Sequence, residues 1–215
     1  MLMRLLGIRP ALLRYGMACA MLAGIAAVHA QVPQRAALLK ALQRGGYVIV
    51  MRHASSPHAL PDPAHTDPEN VGRERQLNDA GRASARSMGE ALHRLKIPIG
   101  RVLSSPAYRA LQTAHLARLA SPEAVTELGL SGGSMQADTN GTRAQWLRAK
   151  AAELPLSGTN TILITHLPNI KEAFPDDASD LTDGEALIFL PDGRGGSSLK
   201  ARVKIDEWAD ISAAH

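Results

Sequence analysis

From about residue 33 onward the chain alternates short apolar runs with longer amphipathic stretches, a rhythm that predicts strands interleaved with helices. Pro33 to Arg44 reads as a helix, with Pro near its first turn and Gly45-Gly46 past its end. Tyr47 to Met51 is a compact run rich in β-branched residues, the pattern of a buried strand. Ser55 to Asn70 is polar and rich in proline and histidine, so it is a surface loop. Asn78 to Leu95 is the next helix. Asn78 is placed to cap it, and Ala80, Ala83, Met88, Ala91, Leu92 and Leu95 form its apolar positions. A short strand, Gly100 to Ser104, leads into a helix from Pro106 to Leu119, and Ala124 to Leu128 reads as a strand. A Gly/Ser/Asn loop, Ser131 to Gly141, precedes a helix from Thr142 to Leu154. Thr161 to Thr165 is another buried strand. Glu185 to Leu190 and Leu199 to Ile205 are two more, joined through the Gly-rich turn Asp192 to Ser197. Apolar strands alternating with helices predict an α/β fold, a three-layer α/β/α sandwich around a mainly parallel central sheet. No repeat or linker divides the chain, so one domain is expected.

The first thirty residues fall outside that rhythm. Arg4, Arg9 and Arg14 make a positive start, Gly16 to Val28 is apolar and uncharged, and Val28-His29-Ala30 puts small residues at −3 and −1 before Gln31. Residues 1–30 therefore read as a secretory signal peptide, with 31–215 as the mature domain, periplasmic or secreted. The apolar run is short for a membrane span, and the absence of an Arg-Arg pair favours the general secretion route. Removing the leader changes the charge balance. The chain has 24 Lys+Arg against 20 Asp+Glu, and the leader holds three of the former and none of the latter. The mature protein is nearly neutral, with no basic face calling for nucleic acid and no membrane contact expected. Cys19, the one cysteine, lies in the leader without the leucine-like residue that lipid attachment requires three positions earlier, where Gly16 stands. That excludes disulfides and thiolate catalysis from the mature protein. Aromatic residues make up only 3% of the chain, so the core is aliphatic and alanine-rich.

Three strand ends carry the candidate chemistry. The first delivers Arg52 and His53. The second runs from Ser104 through Ser105-Pro106-Ala107-Tyr108 to Arg109 in the first turn of a helix, where the helix N-terminus favours an anion. The strand from Thr161 to Thr165 delivers His166. In a parallel sheet these ends share one edge, so two arginines and two histidines converge on a pocket suited to a phosphate dianion. Guanidinium forks fit its oxygens, and a neutral imidazole can attack phosphorus. His58, His65, His93 and His115 match no metal-ligand spacing, so neither metal nor cofactor is expected. Gly193-Arg194-Gly195-Gly196 lacks the Gly-Lys-Ser/Thr end of a phosphate loop and reads as a hairpin turn. Trp146 and Trp208 read as packing residues on helical segments.

Four blocks, in order, resemble the histidine phosphatase superfamily, the phosphoglycerate mutase-like clan. They are Arg52-His53-Ala54, a looser match over Leu77-Asn78-Asp79-Ala80-Gly81-Arg82-Ala83-Ser84-Ala85, then Ser104-Ser105-Pro106-Ala107-Tyr108-Arg109-Ala110-Leu111-Gln112-Thr113-Ala114, and the late strand ending in His166. The resemblance implies a phosphoglycerate mutase-like fold over roughly residues 45 to 190, and a metal-independent phosphatase acting on phosphate monoesters. It makes His53 the nucleophile that takes the phosphoryl group, with Arg52, Arg109 and His166 on the phosphoryl oxygens. Glu127, just after a middle strand, stands where one branch of the family keeps its proton donor. The other branch places an acid directly after the second histidine, where this chain has Leu167-Pro168-Asn169. Ala54 stands in place of the family's glycine, and a positive φ there would strain it. Leu128-Gly129-Leu130-Ser131-Gly132-Gly133 departs from the Gly-x-x-Glu-Gly pattern usual after that glutamate. The expected partner is a small-molecule or glycan phosphate ester met outside the cytoplasm. Two alternatives stand beside this reading: a phosphoglycerate-type mutase, and a non-catalytic binder of phosphate ligands on the same fold.

Overall fold

A computed structural model describes residues 34–57, 74–130 and 141–211. The expected leader (1–30), most of the expected Ser55 to Asn70 loop with His58 and His65, and the expected Ser131 to Gly141 loop up to residue 140 lie outside those residues. The elements, in chain order, are α1 (34–44), β1 (Val48–Arg52), α2 (Asp79–Arg94), β2 (Ile99–Ser104), α3 (Tyr108–Leu116), β3 (Glu123–Ala124), a 3-10 turn (Thr126–Leu128), α4 (Thr142–Ala151), β4 (Asn160–Thr165), α5 (Leu167–Ala173), β5 (Ala186–Pro191), β6 (Ser197–Val203) and α6 (Glu207–Asp210).

The six strands form one sheet in the order β3-β2-β4-β1-β5-β6. The pairs β2/β3, β2/β4 and β1/β4 are parallel, while β5 and β6 join antiparallel at one edge. Alternation along β1 explains the three layers. Ile49 and Met51 point to a cluster closed by Leu42 of α1, Met88 and Leu92 of α2, Ala110 and Ala114 of α3, and Trp208 of α6. Val48 and Val50 point to the opposite cluster, with Leu147 of α4, Ile170 of α5, Phe189 of β5 and Leu128. Every one of these side chains is buried.

The observed boundaries depart from the expected ones in two informative places. The strand expected over Ala124 to Leu128 is only Glu123–Ala124, and the chain then winds into the 3-10 turn. Thr165 Oγ1 and Asn169 Nδ2 both donate to the Leu128 carbonyl, at 2.6 and 3.2 Å, which takes that backbone out of strand pairing. The helix expected over Thr142 to Leu154 ends at Ala151. Leu154 and Leu156 lie exposed beyond it.

Strand register places the site. Arg52 pairs with Thr165, and the next residues stay paired through His53 N–H to Thr165 O at 3.0 Å. Ser104 pairs with Ile164, and Ser105 N–H donates to Ile164 O at 2.8 Å. His53, Ser105 and His166 therefore leave three adjacent strands at the same level of the same sheet edge.

Candidate active site

Each functional side chain at that edge is held by its own local device. Asn78 caps α2 by accepting the Gly81 N–H at 2.7 Å, and its side-chain amide donates to Ser55 Oγ at 3.0 Å. Gly81 is needed there, because a Cβ at this position would lie 2.0 Å from Ser55 O. The Leu-Asn-x-x-Gly block is thus a seat for the loop that follows His53. At the start of α3, Glu74 Oε2 accepts the Tyr108 N–H at 2.6 Å, and Gln112 Oε1 accepts the Leu77 N–H at 2.8 Å. Segment 74–77 is strapped across α3, the helix that carries Arg109. No local pattern singles out Glu74, whose partner is 34 positions away.

Arg109, His53 and His166 meet directly and are 3%, 3% and 1% exposed. Arg109 Nε donates to His53 Nε2 at 3.2 Å, and Arg109 Nη2 donates to His166 Nδ1 at 3.1 Å. The rings stand edge-on, with centroids 5.3 Å apart. Because guanidinium only donates, these contacts fix the histidine tautomers. His53 carries its proton on Nδ1, which donates to Ala54 O at 2.7 Å, and presents a bare Nε2. His166 carries its proton on Nε2, which donates to Ser105 Oγ at 2.8 Å.

Electrostatics keep both rings neutral. Burial drives His53 from its ordinary value down to about 3, against the opposing hydrogen bond to Ala54 O, and the charges of Arg109, Arg52 and Arg75 add to the fall. Burial likewise pushes His166 well below its ordinary value, reinforced by Arg109, His53, Arg75 and Arg52. Arg75 is thus a charge of the site that the sequence reading missed. Its one signal was its position directly ahead of the Gln76-Leu77-Asn78 helix start.

Arg52 is placed differently. Its Nη2 lies 2.6 Å from Asp183 Oδ1, a charge contact rather than an aligned hydrogen bond, and its Nη1 donates to Leu181 O at 3.3 Å. It flanks the pair through charge, from the side of the loop that precedes β5. Ala54 is buried with its N–H on Thr113 Oγ1 at 3.1 Å. Among the described residues only Lys96 and Arg118 are non-glycines with positive φ, so alanine at position 54 sits without left-handed strain.

Glu127 lies half-buried on the 3-10 turn. Its carboxylate accepts from Thr126 Oγ1 at 3.1 Å and makes no hydrogen bond to His53, Arg109 or His166. The turn itself is anchored to the site: Asn169 Nδ2 reaches Gly129 O at 2.8 Å and Thr165 Oγ1 at 3.1 Å. Asn169 stands near where the other branch keeps its acid, and here it serves as a clamp. Among the described residues no group of three or more His, Cys, Asp or Glu is arranged to hold a metal ion, and no helix is long and apolar enough to cross a membrane.

Comparison with known proteins bears on the fold that carries these residues. Residues 48–152 match the family profile of the histidine phosphatase superfamily, branch 1. Among solved structures, the protein histidine phosphatase SixA, solved with tungstate, aligns with a TM-score of 0.55 and 22% identity, over 75% of this chain and 98% of its own. A candidate phosphohistidine phosphatase SixA from Nakamurella multipartitia aligns with a TM-score of 0.51 and 20% identity, over 74% of this chain and 95% of its own. The Mycobacterium tuberculosis protein Rv3214 gives 0.51 and 20%, over 73% and 96%. At these identities the likeness is one of fold. No curated protein matches the sequence significantly.

Proposed function

We propose that the chain, whose residues 48–152 match the histidine phosphatase superfamily profile, hydrolyses phosphate monoesters through a phosphohistidine formed on His53. One observation carries the reading. Strand register and the Arg109 fork bring two buried, neutral imidazoles and a guanidinium together, with the lone pair of His53 Nε2 turned towards that guanidinium rather than tied to the backbone.

In the proposed reaction His53 Nε2 attacks phosphorus, and the bond from phosphorus to the ester oxygen breaks. Arg109 and His166 hold the phosphoryl oxygens, with Arg52 beside them, so the protein's task is mainly positioning and charge stabilisation. Glu127 gives its proton to the departing alkoxide. Water then gives a proton back to Glu127 and attacks phosphorus, the P–N bond breaks, and inorganic phosphate leaves with His53 restored. His53 keeps its proton on Nδ1 throughout, donated to Ala54 O.

We place the reaction outside the cytoplasm on the strength of the leader, with small-molecule or glycan phosphate esters as the substrate class. The chemistry asks for no metal. The test is release of nitrophenol from p-nitrophenyl phosphate in the presence of a chelator, by the wild type and by His53→Ala. The expected result is turnover in the wild type and a loss on the order of 10⁴-fold or more in the variant. Equal turnover in both overturns the phosphohistidine route. Phosphate binding with no turnover in the wild type favours a binding protein.

A further inference from the structure

Ser105 is fully buried at the end of β2, and its Oγ is shared between two donors. The Ala107 N–H reaches it at 3.1 Å, and His166 Nε2 lies 2.8 Å away. The Arg109 contact decides the direction of the second bond. Guanidinium Nη2 lies 3.1 Å from His166 Nδ1 and can only donate, so Nδ1 is bare and the single proton of the neutral ring is on Nε2, pointing at Ser105. Both lone pairs of the serine hydroxyl are then occupied.

An oxyanion settling between Arg109 and the two rings meets two bare nitrogens, His53 Nε2 and His166 Nδ1. The first is required by the chemistry, since it is the lone pair that attacks. The second faces an anionic oxygen lone pair to lone pair, which is repulsive until a proton lies between them. We propose that the site takes up its phosphoryl oxyanion together with one proton, held between His166 Nδ1 and a ligand oxygen, and that Ser105 is the positioning residue that imposes this by holding the Nε2 proton. This rests on the phosphatase reading of the same pocket and specifies the form in which the ester is bound.

The groups around His166 act in one direction in the empty site. Arg109 faces it from α3, His53 from the end of β1, and Arg52 and Arg75 add charge from further off. Together with burial they keep the ring neutral, and the charge of the bound anion reverses that balance. Between the pKa of His166 in the empty site and its higher value in the occupied one, each ligand brings one proton, so affinity falls as pH rises. With Ser105 gone, Nε2 has no acceptor, and once the anion has taken the Arg109 donor from Nδ1 the ring carries its single proton there instead. It then donates to the anion without taking up another.

The experiment uses tungstate, a dianion across neutral pH, with calorimetry of the purified protein in buffers of different ionisation enthalpy. The wild type should take up about one proton per tungstate, and Kd should rise roughly tenfold per pH unit from about pH 6 to about pH 8. Ser105→Ala should bind with little uptake and a nearly flat profile. Glu127→Gln should keep the full slope, since the proton resides on His166. A flat wild-type profile, a full slope surviving in Ser105→Ala, a slope lost in Glu127→Gln, or no tungstate binding at all each overturns the proposal. If Ser105→Ala does not fold, nitrogen NMR of wild-type His166 decides: a proton on Nε2 is required, and one on Nδ1 overturns it. A flat profile with nitrophenol release intact sinks this inference alone, and a steep profile without turnover sinks only the phosphatase reading.

Discussion

The basic wall of the site and its carboxylate turn are built by different means. His53, Ser105, Arg109 and His166 are all buried, emerge from strand ends or a helix start fixed by sheet register, and bond to one another. Glu127 rides on three residues of 3-10 turn, half in solvent, and owes its place to side chains that grip the backbone after it. The wall is rigid because moving any member unpairs a buried polar group, which costs about 1–3 kcal/mol each time. The turn is held by those anchors and by Leu128, buried in the core beside it. On the proposed reading, the groups that would stabilise charge on a phosphoryl group are pre-organised, whereas the carboxylate that would meet the leaving group rides on a short, half-exposed turn.

That contrast is broken most forcefully from the wall. Arg109→Ala removes the donor shared by both imidazoles, and kcat/KM for any phosphate ester should fall by about 10²–10³-fold, whatever the leaving group. A loss confined to poor leaving groups would mean that Arg109 does not act on the phosphoryl oxygens. Stability gives a second probe of the wall. A histidine whose folded pKa lies below its unfolded one favours the unfolded chain once protonation begins, so stability is complete above about 6.5 and declines as pH falls towards about 3. Between pH 7 and about pH 4.5, His53 alone should take away roughly 2–3 kcal/mol, read as a drop in unfolding free energy that His53→Gln lacks. An identical acid loss in both proteins would show that His53 is not the buried neutral ring described here.

How much could be read before folding follows the same division. The wall was legible because its residues lie in short blocks whose spacing is dictated by strand ends and helix starts: Arg52-His53, the Ser-Ser-Pro segment through Arg109, and the β4 end at His166. The fold class was legible for the same reason, since alternating apolar runs and amphipathic helices leave few other arrangements. The long-range supports were not. Glu74 capping α3, Asp183 against Arg52, and Asn169 clamping Gly129 join residues 34, 131 and 40 positions apart. No local pattern encodes those pairings. The short β3 was misread as a full strand because Val125 and Leu128 look like strand residues, and in fact both pack beside α4 on one face of the sheet.

From the carboxylate side the expected effects are smaller and depend on substrate. Glu127→Gln keeps the shape of the side chain but has no proton to give. Hydrolysis of an alkyl phosphate, whose alkoxide leaves poorly, should fall by roughly 10²-fold, while p-nitrophenyl phosphate, whose phenolate needs little help, should change by less than about threefold. Equal losses on both substrates would remove Glu127 from the acid role and return it to the solvated surface.

The smallest effect sharpens the contrast most finely. Asn169 donates to Leu128 O, Gly129 O and Thr165 Oγ1 and makes no hydrogen bond to Arg52, His53, Arg109 or His166, so Asn169→Ala should loosen the turn and leave the wall's hydrogen bonds intact. Freed of the clamp, Glu127 would spend less time where a leaving oxygen can reach it, which lowers the effective concentration of the acid without changing its chemistry. The expected result is a loss of about three- to tenfold on alkyl phosphates, unchanged p-nitrophenyl phosphate turnover, and unchanged tungstate affinity. Adding Glu127→Gln should then produce no further loss attributable to Asn169, because the clamp has nothing left to position. If the double variant loses the product of the two single effects, Asn169 acts elsewhere, and the turn is not the element that brings the acid to the site.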